Sequence, residues 1–143
     1  MRATLSSVLA ALVLSVSSGC AYLPTGLSQV QLTARDGGTV YYGAVRREGL
    51  ALVNLTVEVD RRIYAGNLEL TRPERTLGLY ELYGPRDAAP RTAAELARTN
   101  FSKAILSSTD NRILKCDFTD VGGTNAGGLC IDDSRRVYDV IFS

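Results

Sequence analysis

Three cysteines, three arginine doublets and a complete lack of histidine set the chemistry open to this 143-residue chain. Without histidine the Ser-His-Asp and Cys-His nucleophile systems have no base, and most zinc catalysis and the usual pH switch go with them. A Ser–Lys arrangement would have to use Lys103 or Lys115, and Ser102 beside Lys103 points to the opposite face of a strand. No GxxxxGKS/T run is present to cradle phosphate. Glu58 and Asp60 lie two apart and could in principle act as glycosidase carboxylates, but a solvated strand face ending in a turn explains them more simply. Asp117, Asp120, Asn125, Asp132 and Asp133 surround the distal cysteines without the order of an EF-hand loop, so turn and capping roles account for them. Neither a metal nor a cofactor is expected. The doublets Arg46–Arg47, Arg61–Arg62 and Arg135–Arg136 each fall at a strand end or turn. If those ends cluster, they make an anion-binding rim for lipid phosphate, glycan carboxylate or an acidic protein. Otherwise Glu48, Asp60 and Asp133 neutralise them in place.

Cys20 has a setting of its own. Arg2 is the one charge before Arg35, and residues 3–16 read ATLSSVLAALVLSV. A basic start, an apolar run of roughly 7–15 residues and then small residues is the order of a secretory signal. A spanning helix would need about 20 apolar residues. The segment Val16–Ser17–Ser18–Gly19–Cys20 resembles the bacterial lipobox. Gly19 and Cys20 match its last two positions and Ser18 is an accepted small residue, whereas Ser17 stands where Leu is usual. The resemblance implies a signal peptide over residues 1–19 and a lipidated tether over 20–26. Cys20 would become the mature N-terminus, carrying a thioether-linked diacylglycerol and an amide-linked acyl chain such as palmitate. Two or more acyl chains hold a membrane stably where one binds marginally. Ala21 stands where an inner-membrane retention signal has Asp, which points to the outer membrane and a periplasm-facing domain.

Removing residues 1–19 of the 143 leaves 124, enough for one domain with its own core. Arg2 leaves with them, so 15 basic residues face 15 acidic ones, unlike the basic balance of a nucleic-acid-binding domain. With Cys20 committed to lipid, Cys116 and Cys130 remain in an oxidising compartment, where a disulfide is favoured over a free buried pair or two metal ligands. The thirteen residues between them include Gly122, Gly123, Gly127 and Gly128. A bridge across the base would hold such a loop while its tip, with Asn125, stays adaptable for recognition. The competing reading is a long hairpin connection stapled to keep strand register.

Beyond Leu27 the apolar pattern has a period of two. In 49–60, Ala51, Val53, Leu55, Val57 and Val59 share one face, and Asn54, Thr56, Glu58 and Asp60 share the other, which marks a half-buried strand. Further strands are predicted over 28–34, 39–47, 63–70, 76–83, 101–107, 112–118, 128–132 and 135–142, with Asp-, Asn- and Gly-rich turns between them. This spacing predicts an all-β domain over 27–143, a small antiparallel β-barrel or sandwich of about eight strands. Tyr41–Tyr42–Gly43 is echoed by Tyr64–Ala65–Gly66, and glycine within a strand suits a barrel corner. Residues 84–98 break the pattern, and Thr92 with Glu95 three residues on forms a capping box for a short helix.

The C-terminal third contains Leu114–Lys115–Cys116–Asp117–Phe118, Gly128–Leu129–Cys130–Ile131–Asp132 and Arg136–Val137–Tyr138–Asp139–Val140. With the lipobox, these forty or so residues resemble a family of small Gram-negative bacterial lipoproteins of unknown function. The resemblance implies a compact β domain held by Cys116–Cys130. The architecture is also similar to that of the lipid-anchored lysozyme inhibitors, although their Ser/Gly-rich stretch before a Tyr has only a poor counterpart in Gly37–Gly38–Thr39–Val40–Tyr41. The expectation is therefore a non-enzymatic binding or assembly module of the outer membrane. Its partners would be the membrane, through acyl chains, and an envelope protein or glycan, but not nucleic acid. A lysozyme inhibitor and a carboxylate-based hydrolase of envelope glycan stand as alternatives.

Overall fold

The computed structural model describes residues 25–48, 51–84, 92–121 and 126–143, side chains excepted at 25–27 and 51–53. Cys20, Gly122, Gly123 and Asn125, the signal peptide and most of the tether lie outside them. Eight antiparallel strands close into an up-and-down barrel: β1 (Thr25–Ala34), β2 (Val40–Glu48), β3 (Ala51–Val59), β4 (Arg62–Thr71), β5 (Phe101–Ser107), β6 (Ile113–Thr119), β7 (Gly127–Asp132) and β8 (Val137–Phe142). β8 pairs back onto β1, with Leu32 opposite Val140. Closure leaves no edge strand for another chain to join.

The period-two pattern sorts the wall into faces. Val30, Leu32, Val45, Leu55, Val57, Leu106, Leu114, Phe118 and Tyr138 fill the lumen, each at most 1% exposed, so the barrel is a packed core and not an open carrier. Outside stand Gln29, Glu58, Asn67, Glu69 and Lys115, all exposed. The apolar lumen is unlike the polar interior of a membrane-spanning barrel, while the wall is mixed, with Tyr42, Ile63, Ile105 and Ile141 exposed among its polar residues. Among the described residues no helix is long and apolar enough to cross a membrane. Leu55, Val57 and Val59 are buried as their alternation requires. A register shift opposite Arg46 and Arg47 then adds one residue to β3 at Val53, so the regular in–out pairing stops there. The echoed glycines have a common cause. A Cβ at Gly43 would lie 2.3 Å from the Thr56 carbonyl oxygen, and one at Gly66 2.5 Å from that of Ile105, so both let neighbouring strands approach closely.

One predicted strand is corrected. Residues 76–83 are not a strand but a strap ending in a short helix, α1 (Leu79–Tyr83), that packs on the outside of β6 and β7. Gly78 turns the chain with φ +75°. Asp117 fixes the turn from a distance: the Leu77 N–H donates to its Oδ1 (2.8 Å) and the Leu79 N–H to its Oδ2 (3.0 Å). Asp117 points outward from β6, between inward Cys116 and Phe118, yet the strap leaves it 1% exposed. Arg35 ties the far end, donating to the Tyr83 carbonyl while its Nη2 meets Asp139 at 2.7 Å. The short helix α2 (Ala93–Arg98) carries the expected capping box, with the Thr92 N–H donating to Glu95 and the Glu95 N–H to the Thr92 hydroxyl.

Cys116 and Cys130 form a disulfide and stand directly opposite one another in the β6–β7 ladder, both within the core. This corrects the picture of a thirteen-residue loop tied at its base. Strand pairing continues three residues beyond the bridge to Thr119–Gly127, so the connection is only residues 120–126. The bridge staples the wall of the barrel.

Candidate functional site

In an up-and-down barrel the end at which a residue sits follows from strand parity. Turns 35–39, 60–61, 108–112 and 133–136 share one end, while the N-terminus, 49–50, the long 72–100 connection and 120–126 share the other. The arginine doublets are therefore divided. Arg61–Arg62 and Arg135–Arg136 meet at the turn end, whereas Arg46–Arg47 sits at the opposite end, with Arg46 paired to Glu48 at 3.1 Å. The acids around the cysteines are divided too. Asp132 and Asp133 are at the turn end, Asp120 is at the other, and Asp117 caps the strap, so they form no common cation site.

Arg136 organises the turn end. Its Nε meets Asp36 Oδ2 at 2.9 Å and its Nη1 meets Asp60 Oδ2 at 3.0 Å. Its guanidinium lies over the rings of Tyr138 (5.6 Å) and Tyr41 (5.9 Å). Stacking and a planar fork explain why arginine and not lysine suits this position. The Tyr41 hydroxyl donates to Asp60 Oδ1 at 2.6 Å. Asp60 and Arg61 both have positive φ, 49° and 64°, the primed geometry that matches a two-residue hairpin to strand twist. Asn111 and Arg135, also at positive φ, hold two of the other turns at this end.

Among these turns opens a cavity of about 280 Å³. Its charged lining is Arg62, Arg112 and Arg136 against Asp36, Asp60, Asp132 and Asp133. Most of these groups are already engaged. Asp132 Oδ1 accepts the Ser134 and Arg136 N–H groups and Oδ2 the Tyr138 hydroxyl, each at 2.9 Å. Asp133 Oδ2 accepts the Ile113 N–H at 2.9 Å. Arg62 Nε meets Asp110 at 2.7 Å, and the hydrogen bond from Ser108, with Arg62 beside it, holds the Asp110 carboxyl below its ordinary value. Arg112 is different: it is exposed and makes no ion pair among the described residues. Tyr64, in the same lining and 5% exposed, has a phenol raised above its ordinary value by burial, so it stays a proton donor. Sequence reading did not single out Arg112 or Tyr64. A lone Arg before a strand and a Tyr on an apolar face carry no local signal.

No protein-family model, curated protein or solved structure matches the chain. The site must be read from its own chemistry.

Burial, with the hydrogen bond to Asp132 next, pushes the Tyr138 phenol well above its ordinary value. The sign of the pH effect follows. Above about pH 10 the unfolded phenol loses its proton while the folded one keeps it, so the folded state binds more protons and stability falls as pH rises. Urea midpoints at pH 9 and 10.5 should drop in the parent and drop less in Tyr138→Phe. Equal slopes would show that this phenol does not govern the alkaline limit.

Proposed function

We propose that the chain is an acylated outer-membrane lipoprotein, facing the periplasm, whose barrel is a non-enzymatic binding module. The observation that supports this most is topological. β1 begins at Thr25, only five residues after Cys20, at the end of the barrel opposite the polar turn end. Five residue steps of extended chain reach about 18 Å, so an acylated Cys20 would keep the N-terminal end at the bilayer and direct the cavity away from it. At that same end Leu70 is 83% exposed, with exposed Arg72 and Arg75 close by in sequence, an arrangement that suits a lipid interface. Binding is favoured over hydrolysis because both oxygens of Asp36, Asp60 and Asp132 are engaged by the chain itself, which leaves only Asp133 Oδ1 open among the described carboxylates of the cavity. An acid–base pair needs carboxylates free to exchange protons.

The test is metabolic labelling with an alkyne fatty acid of the full chain expressed in a Gram-negative host, followed by separation of inner and outer membranes. Label on the parent, sedimentation with the outer membrane and loss of both in Cys20→Ser is the expected result. An unlabelled parent that fractionates with the soluble periplasm would overturn the proposal.

A further inference from the structure

We propose that the turn-end cavity binds a zwitterionic amino-acid head group, taking its carboxylate on Arg112 and Tyr64 and its ammonium beside Asp133. The argument begins with what the cavity leaves unsatisfied. Asp36, Asp60 and Asp132 are engaged by Arg136, Tyr41, Tyr138 and backbone N–H groups. Arg62 and Arg136 are spent on Asp110, Asp36 and Asp60. What remains among the described residues is one guanidinium, Arg112, one protonated phenol, Tyr64, and one carboxylate oxygen, Asp133 Oδ1, since the Ile113 N–H takes only Oδ2.

A free guanidinium fork and a hydroxyl in one cavity match the two oxygens of a carboxylate. The lining as a whole nevertheless carries one more carboxylate than guanidinium. That excess disfavours a dianion such as phosphate, and Arg112 disfavours a bare cation. A ligand bearing one charge of each sign satisfies both. Arg112, Tyr64 and Asp133 line the same cavity, and Arg112 immediately precedes Ile113, whose N–H holds Asp133. At about 280 Å³ the cavity lies just under the roughly 300–1,000 Å³ of pockets for drug-sized molecules, and so suits a single head group.

The proposed function enters only in the choice of one envelope-derived probe. Titration calorimetry of the full chain in detergent would use meso-diaminopimelate, free lysine, glutarate (carboxylates without ammonium), cadaverine (ammonium without carboxylate) and inorganic phosphate. Diaminopimelate and lysine are expected to bind at millimolar or lower concentration, and glutarate and cadaverine at least tenfold more weakly. Arg112→Gln removes an exposed side chain with no ion pair among the described residues, and Asp133→Asn keeps an acceptor for Ile113; each should weaken diaminopimelate at least tenfold with an unchanged melting curve. Diaminopimelate that fails to bind, that both variants bind equally well, or that glutarate or inorganic phosphate matches would overturn the assignment. Because this titration does not depend on acylation, it can succeed where the membrane fractionation fails, and the reverse.

Discussion

Asp117→Ala is expected to cost about 3 kcal/mol and to release the strap before the barrel opens. The carboxylate accepts two backbone N–H groups, from Leu77 and Leu79, in a place almost closed to water. Alanine leaves both donors without a partner, and each buried unsatisfied group costs about 1–3 kcal/mol. The chain has a cheaper escape than keeping them dry, which is to lift residues 77–83 from β6 and β7. That escape exposes Leu79 and the outward-facing Leu129, now 5% and 3% exposed, and so limits what undocking can recover. Asn at this position keeps one acceptor and turns an amide NH2 toward the second N–H, so Asp117→Asn should fall between parent and alanine. Hydrogen exchange is the discriminating measurement. The Leu77 and Leu79 amides should lose protection in Asp117→Ala while those of β2 and β3 keep theirs. Unaltered protection at both amides, or an unfolding free energy lowered by less than about 0.5 kcal/mol, would show that the strap is held by packing alone.

The same carboxylate explains where sequence reading went astray. Residues 76–83 place Leu77 and Leu79 two apart, as a strand would, and Leu79 and Leu82 three apart, as a helix would. The contact that decides between them comes from forty residues away and leaves no trace in a local window. The seven strands outside that stretch and 49–60 were legible because burial on one face imposes alternation directly. The barrel was legible because closely spaced turns leave each strand its sequence neighbour as partner.

The error at 76–83 reaches the candidate site through parity. An extra strand there would reverse the direction of every later strand and send Arg112 and Arg135–Arg136 to the end opposite Arg61–Arg62. The clustering of two doublets, and the convergence of Arg112 with Tyr64 and Asp133, therefore depends on Asp117 turning one segment into a strap. An antiparallel barrel closed by β8 on β1 also requires an even strand count, which is a constraint available from sequence once closure is assumed. Applied to the nine predicted strands, it says that one of them is wrong, and 76–83 carries a helical spacing, Leu79 to Leu82, beside its strand spacing.

Removing the Cys116–Cys130 bridge is the second change with a large expected effect, and the way it is removed should matter. The link closes a separation of 14 residues, for which the chain-entropy estimate is about 3 kcal/mol. Because the cysteines face each other in a ladder that continues on both sides, β6 and β7 retain their register without it, and the fold should survive in Cys116→Ala/Cys130→Ala. Both side chains are in the lumen, 0% and 1% exposed, among Leu114, Phe118 and Tyr138. Serine at both sites would place two hydroxyls there, each costing about 1–3 kcal/mol if it finds no partner. The lumen already contains Ser102, whose hydroxyl is buried without a hydrogen bond, so it has no spare acceptor on offer there. The double serine variant should therefore unfold at a lower urea concentration than the double alanine variant, although serine is the closer match in size. Equal midpoints for the two would mean that water reaches the bridge, and a double alanine variant as stable as the parent would mean that the barrel ladder alone holds β6 to β7. Either result would also bear on the turn end, because Asp132, two residues beyond Cys130, receives the Tyr138 hydroxyl that fixes one ring beneath Arg136.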